Sequence, residues 1–577
     1  MLWWVLGCHW ISDDDLTARL GGTDTGCLQI DGWLDLDGDG YGDPDGPSTG
    51  CFGPGRVTDS SDCDDSDEGV NPEATETWYD GVDQDCDGVD DDADGDGWPL
   101  DQDCDDQAAD TYPGAPEIWD DGEIQDCDDP HAVDLGLADV TLRGAKAYDA
   151  AGRVVSLPGD LDGDGLGEVV VGAPFLEVGA RNPGGVYVVP SPAAGVSDLA
   201  SSATVLLGDQ DFDQLGAAVA GPGDANGDGW PDLFLGALHE GSGGEAAGAA
   251  YLVQGPLDVA PTSYVEDVAA TRLIGEDPGD WAGWSVAMAG PVNADGVDAL
   301  LVGSLLAGEG GVEDAGAAYL VHAPGTGDLG LGNATARLRG VALQDYAGTA
   351  VSGAGDVDGD GRHDVLIGAT GTDHTGTTAG SVYLLHGPLS GEQSLGSAAI
   401  RLDGPGATAF AGGAVAPAGD VDADGYDDVL IGATGYATGA DQPGAAFLLL
   451  GPIARGGRLD DEAAAILVGV ADTDATGHTV AGVGDVDGDG RGDLAVGAPS
   501  HGDGGALFLV LGAPSGTFQL ADATVLLGED PDDEAGYSVA GGADLQGDGA
   551  LDLVVGAPGH DAGFGRAGSV YALFGGG

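Results

Sequence analysis

Short apolar runs alternate with glycine-rich polar turns along most of the chain after residue 135. The clearest runs, at residues 169–171, 365–367 and 553–555, contain only valine, leucine and isoleucine. Runs of this length are too short for an amphipathic helix, and their composition favours strands. The hydrophobic pattern therefore predicts an all-β fold that is built from many short strands.

Three sequence markers recur in a fixed order in this part of the chain. The first is Leu-x-Gly, which begins at residues 142, 206, 273, 338, 402, 467 and 526. The second is an acidic motif, D-x-D-G-D-G-x-x-[DE], which begins at residues 160, 224, 356, 420, 485 and 544 and has a degenerate copy at 291. The third is a closing apolar strand, from residue 184 in the first copy to residue 568 in the last. Each marker has seven copies, which predicts a seven-bladed β-propeller over residues 135–577.

The order of strands also predicts how the ring closes. The first copy begins with a strand at residues 140–142, whereas no strand follows the last copy. We therefore expect residues 140–142 to complete the last blade and to remove an open sheet edge.

The acidic motif has the ligand pattern of a calcium loop. Carboxylates or amides stand at positions 1, 3, 5 and 9, glycine at position 6 permits a sharp turn, and the carbonyl of position 7 can face inward. The predicted ligands are Asp160, Asp162, Asp164, Leu166 and Glu168; Asp224, Asn226, Asp228, Trp230 and Asp232; Asp356, Asp358, Asp360, Arg362 and Asp364; Asp420, Asp422, Asp424, Tyr426 and Asp428; Asp485, Asp487, Asp489, Arg491 and Asp493; and Asp544, Gln546, Asp548, Ala550 and Asp552. The third copy has Pro291, Asn293, Asp295 and Ala299 and so lacks positions 1 and 9. We expect about six Ca²⁺ ions in the propeller and none in the third blade.

These features resemble a known repeat family. The loop is similar to the first nine positions of an EF-hand loop, but a strand follows it at once, and Gly-Ala-Pro closes that strand at residues 172–174, 497–499 and 556–558. This combination resembles the FG-GAP repeat of the integrin alpha-chain propeller. The resemblance implies a seven-bladed ring with calcium loops on one face and an opposite face that is free to bind a partner.

Residues 27–134 form an acidic segment of a different kind, with few apolar residues. Two similar stretches, at residues 62–88 and 103–129, each begin with Asp-Cys and have a second Asp-Cys in their last four residues. Equal spacing favours the disulfides Cys63–Cys86 and Cys104–Cys127, leaving Cys27–Cys51 by elimination, and a thiolate metal site is the alternative. Calcium-like loops precede the two stretches, with candidate ligands Asp35, Asp37, Asp39 and Asp43 in the first and Asp92, Asp94 and Asp96 in the second. Disulfides and metal ions would have to hold a segment with so little core.

The two stretches resemble metal-binding repeats of bacterial surface proteins, one of which binds copper. Trp78 and Trp119 stand where many members of that family have cysteine, which favours a unit with one bridge. Residues 1–26 are predicted to be a leader and tether. The sequence around Cys8 resembles a bacterial lipobox, so Cys8 is a candidate lipidation site, although the apolar stretch is short and no basic residues precede it.

Composition narrows the class of partner. The chain has 102 acidic and 15 basic residues and a net charge of -87, which excludes a nucleic-acid-binding surface. No apolar run is long enough to span a bilayer. The acidity is also what a saline habitat favours.

We find no signature of a catalytic nucleophile or base, and we expect the protein not to be an enzyme. His501 and His560 lie four residues after the glycine of a Gly-Ala element and His239 lies three after, so they should lie on exposed loops of one rim. We expect a calcium-binding secreted or cell-surface module of bacterial type that binds a protein or glycan. The alternatives are a secreted polysaccharide-active enzyme and a metal-sequestering surface protein that binds copper.

Overall fold

A computed structural model describes residues 29–44, 49–51, 56–77, 82–86, 92–94, 98, 108–109, 111–112, 115, 125, 132–178, 182–293, 295–308, 314–397, 400–561 and 565–575. The chain divides into two compact units, Met1–Ala115 with Gln125–Asp128 and Pro116–Ile124 with Asp129–Gly577. We number the described strands β1–β39 in chain order.

The second unit is a seven-bladed β-propeller, as the repeats predicted. Each described blade has four antiparallel strands and a parallel fifth strand on the outer edge. Blade 1 consists of β7(Val154–Ser156), β8(Glu168–Ala173), β9(Gly185–Pro190), β11(Thr204–Leu207) and β15(Thr262–Tyr264). Blade 2 consists of β12(Leu215–Ala220), β13(Leu233–Ala237), β14(Ala249–Val253), β16(Thr271–Ile274) and β20(Gly327–Gly330). Blade 3 consists of β17(Ala282–Met288), β18(Ala299–Ser304), β19(Ala317–His322), β21(Ala336–Arg339) and β25(Gly391–Ser394). Blade 4 consists of β22(Ala347–Gly355), β23(Asp364–Ala369), β24(Ser381–Leu385), β26(Ile400–Asp403) and β30(Gly457–Arg458).

The remaining blades repeat this order. Blade 5 is β27(Val415–Gly419), β28(Asp428–Ala433), β29(Ala445–Leu449), β31(Ala465–Val468) and β35(Gly516–Gln519). Blade 6 consists of β32(Thr479–Gly484), β33(Asp493–Ala498), β34(Ala506–Val510), β36(Thr524–Leu527) and β5(Ala132–Asp134). Blade 7 consists of β37(Ser538–Ala543), β38(Asp552–Ala557), β39(Ser569–Leu573), β6(Val140–Arg143) and β10(Gly195–Asp198). The first strands of neighbouring blades contact one another around the ring, including β37 of blade 7 with β7 of blade 1.

Two N-terminal strands join blades that the C-terminal part of the chain forms. Strand β6 pairs antiparallel with β39, with Ser569 opposite Arg143, which confirms the expectation for residues 140–142. Strand β5 adds a parallel edge to β36 in blade 6, which the sequence reading did not foresee. This pairing brings residues 132–134, upstream of the boundary predicted at residue 135, into a propeller sheet.

The core lies between neighbouring blades. Alternate side chains of β23 show this: Val365 and Ile367 pack in a cluster with blade 3, whereas Leu366 packs with blade 5. Because both faces of each second strand are covered, these strands read as continuous apolar runs.

A single-turn helix precedes the fourth strand of each of the seven blades and buries one leucine or valine. These helices are η1(Leu135–Leu137), α1(Leu199–Ser202), α2(Val265–Val268), η2(Leu331–Asn333), η3(Leu395–Ser397), α3(Leu459–Glu462) and η4(Leu520–Asp522). Within the described ranges, no helix has the length and hydropathy that a membrane span requires.

The described part of the first unit has two small antiparallel ribbons. Strand β1(Gln29–Asp31) pairs with β3(Thr49–Cys51), and β2(Trp33–Leu34) pairs with β4(Arg56–Val57). The predicted bridge between Cys63 and Cys86 is present. Cys8, Cys27, Cys104 and Cys127 lie outside the described residues, so the other two pairings and the lipidation of Cys8 stay predictions.

Candidate metal sites

The acidic motifs all form the same connection, from the first to the second strand of a blade. They therefore lie on one face of the ring, which we call the loop face. The connections from the second to the third strand lie on the opposite face.

The loop of blade 1 folds around its own carboxylates. Asp160 accepts hydrogen bonds from the backbone N–H groups of Gly163 at 2.6 Å and Gly165 at 3.0 Å. Carboxylate oxygens of Asp160, Asp162, Asp164 and Glu168 lie within 4.8 Å of one another. Four acidic groups at this separation repel one another, and they form a set of hard oxygen ligands that suits a divalent cation.

The other five complete loops share this turn. The N–H of the position-6 glycine donates to the position-1 carboxylate at 2.8–2.9 Å, in the pairs Gly229–Asp224, Gly361–Asp356, Gly425–Asp420, Gly490–Asp485 and Gly549–Asp544. These glycines have φ values of 85–96°, a region that residues with a Cβ rarely adopt.

Position 7 contributes its N–H to the turn. That group donates to the position-5 carboxylate at 2.8–3.0 Å in all six loops, from Leu166, Trp230, Arg362, Tyr426, Arg491 and Ala550 to Asp164, Asp228, Asp360, Asp424, Asp489 and Asp548. The ligand role that we expect for the carbonyls of the same residues stays a prediction.

Position 3 varies between the loops. Asp358, Asp422 and Asp487 are carboxylates, whereas the side-chain amides of Asn226 and Gln546 donate to the position-5 carboxylates at 2.9 and 2.8 Å. An amide thus offsets part of the repulsion that a third carboxylate would add at this position.

Position 9 is the buried anchor of each loop. In blade 5, Asp428 accepts N–H donors from Val421 at 2.9 Å and from Gly451, after the third strand, at 2.8 Å. The two corresponding backbone N–H groups of their own blades donate to the carboxylates of Asp232, Asp364, Asp493 and Asp552. Burial raises the pKa of Asp232, Asp428 and Asp493 to about 6. The ninth residue therefore closes the loop onto its own second position and joins it to the segment after the third strand, a role that the sequence did not reveal.

Glu168 is the one glutamate at this position. Its Oε2 accepts from the N–H of Leu161, but its Oε1 is buried and has no hydrogen-bond partner. Burial raises its pKa to about 7, and the charges of Asp162 and Asp160 add to the shift. A buried oxygen without a donor fits a ligand to a cation, because a buried polar atom otherwise costs free energy.

The loop of blade 3 is held differently. The imidazole Nε2 of His322 lies 2.8 Å from Asp295, which stands at position 5. Asp298 accepts from the backbone N–H of Asp224 in blade 2 at 2.8 Å. The N–H of Val297 at position 7 donates to Asp295 at 3.4 Å, as in the complete loops. This part of the turn and the link to the neighbouring blade are therefore kept, with a histidine beside the carboxylate that remains.

The first unit contains a similar loop with two partners that the sequence reading missed. Asp35, Asp37 and Asp39 form one acidic group, and Asp62 and Asp65 form a second around Asp37. Asp65 accepts from the N–H of Leu36 at 2.9 Å. Asp62 is 1% exposed, and its Oδ2 has no hydrogen-bond partner. The Asp-Cys-Asp-Asp motif was a signal for these residues, but only the fold brings them to the loop.

The second loop of this unit is only partly described. Asp92 and Asp94 lie in the described residues, and Asp96 does not. Asp43 is described but is absent from the two acidic groups above. The ligand roles of these four residues stay predictions.

The histidines named from the sequence all follow a second strand and so lie on the opposite face, but none of them is an exposed group. His560 is 3% exposed and its Nδ1 lies 3.1 Å from Asp533; the Nδ1 of His501 lies 2.9 Å from Asp474. His239 is half-buried against Trp281. The expectation of exposed loops is therefore wrong for His560, because the buried aspartate of each repeat draws the ring inward.

The opposite face also has a cavity of about 550 Å³ between blades 7 and 1. Its lining includes Arg153, Arg566, Tyr148 and Phe175. The guanidinium of Arg153 lies 5.0 Å from the ring centroid of Tyr537 and 5.8 Å from that of Phe175. Two arginines at one cavity are notable in a chain with only 15 basic residues.

Two family models match parts of the chain. Residues 151–189, 347–385, 476–523 and 535–573 match the FG-GAP repeat. Residues 62–92 and 103–131 match a model described as "Putative metal-binding motif".

Several curated proteins are similar to the propeller. Integrin alpha-IIb of Homo sapiens is 36% identical over 168 residues, which are 28% of this chain and 16% of that protein. Integrin alpha-5 of Xenopus laevis is 34% identical over 153 residues, 25% of this chain and 14% of that protein. Phosphatidylinositol-glycan-specific phospholipase D of Bos taurus is 34% identical over 167 residues, 27% of this chain and 20% of that protein. The chain thus spans a fifth or less of the length of these relatives. It carries an integrin-alpha-like FG-GAP propeller that follows a metal-binding motif.

Proposed function

We propose that the protein is a calcium-stabilised secreted or cell-surface module that binds a protein or glycan through the face opposite the metal loops. The observation that carries this proposal is the separation of the two faces. The acidic loops and their hydrogen bonds occupy one face, whereas the arginine-lined cavity lies on the other. Similarity to integrin alpha chains supports an adhesive role.

Calcium is the cation that fits these loops best. Their ligands are carboxylate and amide oxygens on flexible turns, which calcium prefers over nitrogen or sulfur. With dissociation constants of about 0.1–1 mM, as in extracellular modules, and about 1 mM calcium, each site stabilises the fold by about 0.4–1.4 kcal/mol. Six such sites add about 2–8 kcal/mol, which is comparable to the stability of a whole domain.

The cavity favours a ligand with carboxylate groups. Most of the chain repels acidic molecules, whereas in this cavity Arg153 and Arg566 balance the charges of Glu177 and Glu534 in the lining, so repulsion is locally reduced. Arg566 also lies 3.5 Å from Glu534, whereas the guanidinium of Arg153 stacks between two aromatic rings. Such stacking orients a guanidinium for bidentate binding of a carboxylate.

A binding assay tests this function. Wild-type protein and Arg153→Ala should be compared on arrays of acidic and neutral glycans and on extracellular proteins, in calcium and in chelator. Arg455→Ala is the matched control, because Arg455 is exposed at another blade. We expect at least tenfold weaker binding for Arg153→Ala only. Equal binding by both variants would contradict the role of the cavity, and binding that survives chelation would contradict the role of calcium.

The first unit supports a second candidate, metal sequestration by the acidic segment. The match to a metal-binding motif favours it, and the ligands in the described part are oxygens of Asp35, Asp37, Asp39, Asp62 and Asp65. Because these are hard ligands, we expect calcium rather than copper there. Titration of the full chain with copper, followed by competition with calcium, separates the two metals.

An enzymatic role is the remaining alternative, since one group of relatives is named as a phospholipase D. Hydrolysis assays on glycosylated phosphatidylinositol and on polysaccharides test it directly. Surface attachment through Cys8 is also a proposal, which loss of palmitate labelling in Cys8→Ser would support.

A further inference from the structure

The loop of blade 4 differs from the other complete loops in having a nitrogen atom beside its carboxylates. His386 follows β24 and precedes Gly387, whose N–H donates to Asp364 at 3.0 Å. The His386 Nδ1 lies 3.1 Å from Asp364 Oδ2 and 3.3 Å from Asp358 Oδ2. One nitrogen or oxygen atom from each of the three side chains lies within 4.8 Å of the other two.

No other complete loop has this ligand. The residues at the corresponding position are Pro190, Gln254, Leu450, Leu511 and Phe574. None of these side chains offers an imidazole, so the difference belongs to blade 4 alone among the six complete loops.

The nitrogen lies within ion-pair distance of two carboxylates of the same loop. The Nδ1 atom is buried and makes no hydrogen bond, although two carboxylate oxygens are near it. Asp364 is fully buried, and its two oxygens already accept from the N–H groups of Val357 and Gly387. The nitrogen and the two carboxylate oxygens therefore converge, all within 4.8 Å of one another, so that one cation could contact all three.

The distances suit a small ion between these atoms. Zinc binds histidine nitrogen and carboxylate oxygen at about 2.0–2.2 Å, and the edges of such a tetrahedron are about 3.3–3.5 Å long. The observed separations of 3.1 and 3.3 Å are close to those edges. Imidazole with carboxylates suits zinc-type divalent ions, whereas calcium takes oxygen ligands.

We propose that Asp358, Asp364 and His386 bind a transition-metal dication of the zinc type, so that the propeller holds two kinds of metal. In zinc-free solution, calcium binds to the carboxylate oxygens of the same loop. The site is independent of ligand binding by the opposite face, and its loss leaves the calcium sites of the other five loops intact.

Blade 3 offers a matched control. His322 occupies the corresponding position there, but its Nε2 makes a direct contact of 2.8 Å with the single carboxylate of Asp295. Positions 1 and 9 of this loop are Pro291 and Ala299, so no second carboxylate ligand from those positions completes a site.

The experiment is a zinc titration of the full chain in excess calcium, using ZnCl₂ alone as the probe and metal analysis after dialysis. We expect His386→Asn to bind one zinc ion fewer than wild type, or to bind it at least tenfold more weakly. His322→Asn should match wild type. In zinc-free buffer the calcium stoichiometry of His386→Asn should equal that of wild type, which also shows that the variant is folded.

A second variant and a second metal probe distinguish the loss of a ligand from misfolding of the variant. His386→Gln keeps most of the side-chain volume, and CoCl₂ reports nitrogen ligation through its visible absorption. We expect wild type to show a cobalt band that neither His386 variant shows. Equal zinc binding by wild type and both His386 variants, or equal cobalt spectra, would overturn the proposal. Low calcium stoichiometry in wild type would instead contradict the proposed calcium sites.

Discussion

The six complete loops and the loop of blade 3 have the same place in their blades but deal with charge in different ways. In a complete loop such as that of blade 1, four carboxylates converge within 4.8 Å, and one buried oxygen lacks any donor. In blade 3, positions 1 and 9 are not acidic, and the carboxylate that remains lies beside His322. The comparison shows that the turn itself does not require the full acidic set. The additional carboxylates fit a role in binding cations.

Removal of cations should have the largest effect, and it should act on the six complete loops rather than on the loop of blade 3. In chelator, the complete loops are left with unscreened repulsion, and we expect the propeller to lose about 2–8 kcal/mol of stability. With the entropy of unfolding typical of this size, its melting temperature falls by roughly 2–9 °C, measured by calorimetry in calcium and in EDTA. An unchanged melt would show that the loops are stable without metal.

Matched substitutions at position 5 test the comparison within one molecule. We expect Asp164→Asn in blade 1 to remove one bound calcium and about 0.4–1.4 kcal/mol of stability in 1 mM calcium. Asp295→Asn in blade 3 should leave the calcium count unchanged, because its carboxylate pairs with His322 instead. Its effect on stability should be about 0–1 kcal/mol, as for other exposed ion pairs.

Isothermal titration gives the number of sites, and denaturant unfolding gives the stability of each variant. A fall in calcium count for Asp295→Asn would show that blade 3 also binds a cation. An unchanged count for Asp164→Asn would contradict the ligand role of position 5.

Position 4 provides the smallest test. It is glycine in five complete loops, but blade 5 has Ala423 there, with φ of 61°. A residue with a Cβ costs about 1 kcal/mol in this conformation, so Ala423→Gly should stabilise the protein by about 0.5–1 kcal/mol. Gly488→Ala at the same position in blade 6, where φ is 75°, should destabilise it by a similar amount. Denaturant midpoints of the two variants should therefore move in opposite directions.

Much of this molecule could be predicted because repetition makes local patterns reliable. Markers that recur at similar intervals predicted the number of blades and the loop residues, and they also predicted that residues 140–142 complete the last blade. The disulfide between Cys63 and Cys86 followed in the same way from a repeated spacing. In each case the relevant residues are near in sequence or occupy equivalent positions of a repeat.

The residues that escaped prediction are those whose partners are distant in sequence. Asp62 and Asp65 meet Asp37 only when the acidic segment folds, and His386 reaches Asp358 and Asp364 only when the third strand returns beside the second. Strand β5 joins β36 across most of the chain.

Local chemistry was thus enough to specify the strands, the tight acidic turns and the sevenfold count, because each depends on a few adjacent side chains and their backbone preferences. Which carboxylates are buried, which loop gains a nitrogen ligand, and which faces of the ring carry metal loops or arginines depended on long-range packing. Burial and convergence are properties of the assembled sheets, since they arise only when strands from distant parts of the chain exclude water together.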